Sequence, residues 1–222
     1  MVRAMASSAA PSRLRAHWAA IIPRSSAADS CFDGLLARYG EPHRQYHSIA
    51  HLDRVVSDVA DLLSNIVVAQ PLAVKIAAFF HDAVYDPRSP SNEADSAALC
   101  GRELTQLGWS AEQIDEVKRL ILLTRDHGAS DDSDAGGSVL LDADLAVLGA
   151  SPNVYQAYVS GVRAEYSHVG EQAWRVGRAQ VLQRFIDQPR IYRTSAMSTH
   201  ERRAQSNLRA ELATLRPGWR AR

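Results

Sequence analysis

Cysteine is nearly missing from this chain. Cys31 and Cys100 are the only two among 222 residues, and no C-x-x-C pair occurs. A chain of this length needs no disulfide, so both read as unpaired thiols in a reducing compartment. Net charge is missing too: 25 Lys and Arg face 25 Asp and Glu. No global field then marks a nucleic-acid binder. The Arg-rich C-terminal stretch is interrupted by Glu201 and Glu211 and reads as a solvated helix face. No apolar run approaches the ~20 residues of a membrane span. The start, MVRAMASSAAPSR, lacks the apolar segment of an export signal. Stable nucleic-acid binding and a membrane partner are not expected, and the expected location is cytoplasmic. Strand-like alternation is scarce as well, and neither an internal repeat nor a low-complexity domain is visible.

What is present is helical period. The expectation is one all-α domain over residues 13–215, between a disordered start (1–12) and a tail (216–222). A short helix over 14–22 stops at Pro23, and a second runs over 25–40 between capping residues and Gly40. From about Ser48, the residues Leu52, Val55, Val56, Val59, Leu62, Leu63 and Ile66 share one apolar face. PLAVKIAAFFHDAVY (71–85) opens on Pro71 and is apolar almost all round, the pattern of a central buried helix. Segments starting at Asn92 and Ser110 follow, Ser110 with Gln113 fitting a capping box. Then comes a flexible acidic loop, ASDDSDAGGS, and helices near 139–149, 152–168, 171–187 and 199–214.

Four polar spots interrupt this apolar pattern. His81 and Asp82 stand side by side in the central helix, and Asp142 and Asp144 break the run VLLDADLAVLG. Burying such groups unpaired is expensive. His47 and His51 lie four apart, on one face if their helix begins by Tyr46. Two imidazoles with carboxylates from distant segments make a shell that divalent first-row metals accept, with Asp142 and Asp144 both eligible as its last member. Tyr46, Tyr85 and Tyr192 read as core aromatics before walls of a base pocket.

The order His51, His81-Asp82, Asp144, each on an apolar segment, resembles the HD superfamily of metal-dependent phosphohydrolases. PHRQYH, AAFFHDAVYD, NEADSA, LDADLAVLG and RFIDQPRIYRT resemble a bacterial group of predicted HD phosphohydrolases, over roughly residues 40–210. YHSIAHLDRV is similar to the tyrosine–histidine motif of cyclic-nucleotide phosphodiesterases. The resemblance implies an HD-type helical bundle with one divalent ion held by His51, His81, Asp82 and Asp144. It implies His47 as general acid and hydrolysis of a phosphomonoester or phosphodiester, of a nucleotide or similar small phosphorylated compound. The ion (manganese, iron, cobalt, nickel, zinc or magnesium) is left open by the donors. Asp82 and Glu93 join His47 as candidate catalytic residues, Glu93 as the group orienting the attacking water. Arg44, Asn92, Arg125 and His127 are candidate substrate contacts, with Arg44 placed to grip a phosphate by its planar fork. A homodimer is a further expectation. The alternative is a sensing module that keeps a metal or nucleotide site but has no turnover.

Overall fold

The computed structural model describes residues 2–127 and 133–215, with side chains from residue 9 onward. The expected tail over 216–222 lies outside the described residues, as does 128–132, the middle of the expected acidic loop. All regular structure among the described residues is helical.

The first helix, α1, runs Val2–Ala19, in place of a disordered start and a short helix at 14. Its buried ladder Ala10, Leu14, Trp18 repeats every four residues, so the packed face reaches a turn further back than Leu14. The Trp18 indole then donates to the Ala28 carbonyl at 3.1 Å, fastening it to α2 (Ser26–Tyr39). The Ser25 side chain caps α2 by accepting from the Ala28 N–H.

Next come α3 (Ile49–Leu63) and α4 (Pro71–Phe80). With only Lys75 as a charged residue, α4 buries Ala73, Val74, Ile76, Ala77, Ala78, Phe79 and Phe80. A helix apolar on every side must be covered on every side. It packs against α3 and against α5 (Asn92–Gln106), α6 (Ala111–Leu123) and α7 (Ala135–Asp144). Ser110 and Gln113 form the anticipated capping box at α6. After α5 the chain turns at Gly108, whose φ of 78° is left-handed and costs a glycine little.

A 3₁₀ turn over Leu145–Gly149 follows α7, and then α8 (Pro152–Glu165), α9 (Glu171–Ile186) and α10 (Ser198–Leu215). The α9 and α10 helices pack together, with Arg178 and Glu211 paired at 2.7 and 2.9 Å. No helix among the described residues is long and apolar enough to cross a membrane.

Two boundaries differ from expectation in ways that matter. The central helix ends at Phe80 instead of continuing to Tyr85. The acidic loop is also shorter, because Asp134 caps α7 through the Gly137 N–H at 2.8 Å and Ala135–Ser138 are helical.

Candidate metal centre

Because α4 stops at Phe80, His81 and Asp82 occupy a turn. On a continuing helix, neighbours would point about 100° apart. In the turn both reach one point. His81 Nε2 lies 3.2 Å from Asp82 Oδ2, and His51 Nε2, from the first turn of α3, lies 3.4 Å from the same oxygen. Asp144, the last residue of α7, brings Oδ1 within 3.3 Å of His51 Nε2 and 3.6 Å of His81 Nε2. The two imidazole nitrogens are 3.1 Å apart. One donor atom from each residue falls within 4.8 Å of all the others, so the group could hold a metal ion.

The donor chemistry fits a cation. His81 Nδ1–H donates to the Ala78 carbonyl at 2.9 Å, so in the neutral ring the Nε2 lone pair is turned into the cluster. Both imidazoles are buried at 2% and 0% side-chain exposure, while Asp82 and Asp144 keep 17% and 13%. The carboxylates also line a cavity of about 630 Å³. The cluster therefore has a closed imidazole side and an open carboxylate side.

With protons in place of a cation, burial opposes the charge on His51, but hydrogen bonds to Asp144 and Asp82 outweigh it and raise its pKa. Burial likewise opposes His81, and the Asp82 charge lifts it well above its ordinary value. Burial favours the neutral forms of Asp82 and Asp144. The His81 charge outweighs it at Asp82, and hydrogen bonds led by His127 outweigh it at Asp144, so both fall well below the carboxylate range. In the metal-free protein these histidine charges stabilise the fold below pH 6.5, an effect lost as pH rises through their raised values. A cation must displace those protons. Between pH 6.5 and 5.5, both imidazoles are below their titration midpoints, and affinity for manganese(II) is expected to fall about tenfold per displaced proton, hence 10- to 100-fold overall. Calorimetric titrations in buffers of different ionisation enthalpy check this, and a pH-independent affinity would contradict it.

Two supports hold the centre in place. His127, at a φ of 38° rare outside glycine, brings Nε2 to 2.9 Å from Asp144 Oδ2. Its carbonyl accepts from Arg193 at 2.9 Å. Arg44 corrects a sequence expectation. Its guanidinium is fully buried and donates to the carbonyls of Asp82 (2.7 Å), His47 (3.2 Å) and Ala83 (3.2 Å), so it has no fork left for a phosphate. It ties the segment before α3 to the His81–Asp82 turn. Asn92 is similarly engaged, accepting from the Asp86 N–H and donating to its carbonyl, both at 2.9 Å.

His47 is not in α3, which begins at Ile49, so the shared helix face expected for His47 and His51 does not exist. The ring reaches the cavity another way. Its Nδ1–H donates to Glu165 Oε2 at 2.7 Å, while Oε1 accepts the N–H groups of Gln45, Tyr46 and His47 at 2.8–2.9 Å. Tyr85 donates to Oε2 at 2.9 Å and stacks on the His47 ring at 4.2 Å. Burial would raise the Glu165 pKa, but these contacts, His47 first, bring it down to about 2. Sequence reading missed Glu165. One clue existed four residues earlier: at Gly161, an added Cβ would lie 3.1 Å from Tyr46 Cβ. A glycine and a glutamate at helical spacing let this backbone come close and then satisfy it.

Of the two aspartates left open, Asp144 joins the cluster. Asp142 instead accepts from the Arg193 and Thr194 N–H groups and the Thr194 hydroxyl at 2.7–2.8 Å, holding the chain after α9. Arg125, Glu93 and Asn92 line the cavity with His47 and His127. Tyr46 and Tyr85 line it as well, whereas Tyr192 is core and donates to the Leu145 carbonyl. Compared with protein-family models, curated proteins and solved structures, the chain matches none. The all-helical fold and the His/Asp cluster are compatible with an HD-type protein.

Proposed function

We propose that this protein is a metal-dependent phosphohydrolase of the HD type, cleaving a phosphomonoester or phosphodiester of a nucleotide or similar small compound. The observation that carries the reading is His47. Its ring is anchored by Glu165 and faces the same cavity as the Asp82 and Asp144 carboxylates. A sensing module needs neither the anchored imidazole nor the open carboxylate side.

His51, His81, Asp82 and Asp144 would hold the ion. Once bound, a divalent ion polarises a phosphoryl oxygen and lowers the pKa of water enough to supply a nucleophile near neutral pH. The chain supplies the rest. With Nδ1–H committed to the ionised Glu165, His47 turns Nε2 toward the cavity, and a proton there can pass to the leaving oxygen as the ester bond breaks. The Glu165 carboxylate stabilises the imidazolium that carries it. Glu93 and Arg125 sit on the cavity wall, available to orient water and to bind phosphate. Arg125 lines the cavity and makes no ion pair among the described residues.

The direct test offers manganese, iron, cobalt, nickel, zinc and magnesium in turn, with a chromogenic phosphodiester, a chromogenic monoester and a nucleotide panel. Turnover that requires one of these ions and is lost with chelator is expected. Stoichiometric ion binding without turnover of any ester would contradict the reading.

A further inference from the structure

The α8 and α9 helices are consecutive and meet through side chains, Arg163 with Glu171 and Trp174, and Tyr158 with Arg178, while their backbones stay apart. The α8 helix rests on the 3₁₀ turn at 145–149 and α9 on α10. The gap between them belongs to the 630 Å³ cavity, which therefore runs well beyond the metal centre. Ala173, Gly177, Val181 and Phe185 line it from α9 at four-residue spacing, one stripe of a single helix. Phe185 marks the metal end, its ring 6.1 Å from that of His127. At 1.5 Å per residue, Gly177 lies about 12 Å further along.

Nothing about the fold requires a glycine there. A Cβ added to Gly177 would meet no atom within 4 Å, and its φ lies outside the left-handed region. A mid-helix glycine destabilises relative to alanine. Gly177 and Ala173 are exposed, so the room that Gly177 supplies lies where the chamber opens to solvent. The walls beside it are aromatic. Tyr166 and Trp174 lie 5.7 Å apart, and the Arg163 guanidinium stands 5.1 Å from the Trp174 ring centre. Of the polar groups on the wall, Arg178 is engaged by Glu211 and Asn92 by the Asp86 backbone, whereas the side chains of Glu93, Arg125 and Arg184 make no hydrogen bond or ion pair among the described residues.

We infer that the α8–α9 chamber receives the nucleoside part of the substrate by stacking and shape, and that Gly177 sets the size it accepts. The inference rests on the phosphohydrolase reading for the phosphate end alone. Stacking and shape discriminate weakly, so kcat/KM for the four common nucleotides is expected to agree within about 200-fold, not the 10⁴–10⁵ of a hydrogen-bonding pocket.

Adenosine, which carries no phosphate, isolates the chamber. Equilibrium dialysis against the full-length, metal-free protein is expected to detect adenosine binding that Gly177→Leu weakens at least tenfold. The same variant is expected to raise KM for nucleotides by a similar factor while leaving methyl phosphate turnover and manganese affinity unchanged. Gly177→Ala, which adds one methyl into open space, is expected to raise Tm by about 2–4 °C, a check that the helix tolerates a side chain there. Loss of adenosine binding in Gly177→Leu, even if no ester is ever hydrolysed, would support the chamber and sink only the hydrolase reading. Failure of the wild-type protein to bind adenosine, equal binding by Gly177→Leu, or preference for an alkyl phosphate over nucleotides would overturn the inference.

Discussion

Asp82→Ala is expected to abolish ion binding and hydrolysis together. The Asp82 carboxylate is the one group within 3.4 Å of both imidazoles, and its removal leaves two nitrogens 3.1 Å apart with one carboxylate between them. The loss of affinity should exceed the ~10- to 100-fold that removal of an outer hydrogen-bonding partner costs. His127→Ala supplies that smaller reference, because His127 touches the centre only through Asp144 Oδ2. Asp82→Asn keeps the shape of the side chain and guards against misfolding. It should resemble the alanine variant in ion binding while retaining a cooperative thermal transition. Ion content by mass spectrometry after gel filtration separates these variants. Retention of stoichiometric ion by Asp82→Ala would show that the carboxylate is not a ligand.

The second large effect belongs to a residue that touches no ion. Glu165→Gln is expected to slow turnover by about 10²–10⁴-fold, the usual contribution of a positioned acid, with ion affinity unchanged. An amide can still accept the three backbone N–H groups at one atom. Its NH₂ must then face His47 Nδ1 and the Tyr85 hydroxyl, both of which donate to Oε2 in the native protein. The imidazole is driven toward the opposite tautomer and loses its counter-charge. Glu165→Ala goes further, because the N–H groups of residues 45–47 then lose their acceptor, at about 1–3 kcal/mol for a buried donor left unpaired. The contrast between the variants separates chemistry from folding. A Gln variant with full kcat would remove His47 from the reaction.

The helices were legible because apolar residues recur at helical spacing and because caps such as Ser25 and Ser110 satisfy first-turn N–H groups locally. The four cluster residues were legible for a different reason: a His, an Asp or a His-Asp pair in an apolar run is costly without a partner, so each announces one. Helix ends were harder to read. Nothing in FFHDAVY states that the helix stops at Phe80. That stop depends on Tyr39 and Arg44, which engage the turn's N–H and carbonyls from 38–43 residues away. The misreading of Arg44 has the same origin. An arginine one turn before a histidine looks like a phosphate ligand until the carbonyls that occupy it are known. Glu165 was invisible because its partners lie about 120 residues earlier in the chain, a distance no local pattern spans.

The central claim is that His51, His81, Asp82 and Asp144 converge on one cation. A crystal structure of the full-length protein grown with manganese(II), with anomalous differences collected across the manganese edge, measures it directly. One peak is expected between His51 Nε2, His81 Nε2 and carboxylate oxygens of Asp82 and Asp144, each at bonding distance, with at least one position open to the cavity. A peak elsewhere, or none at this cluster at saturating manganese, would contradict it.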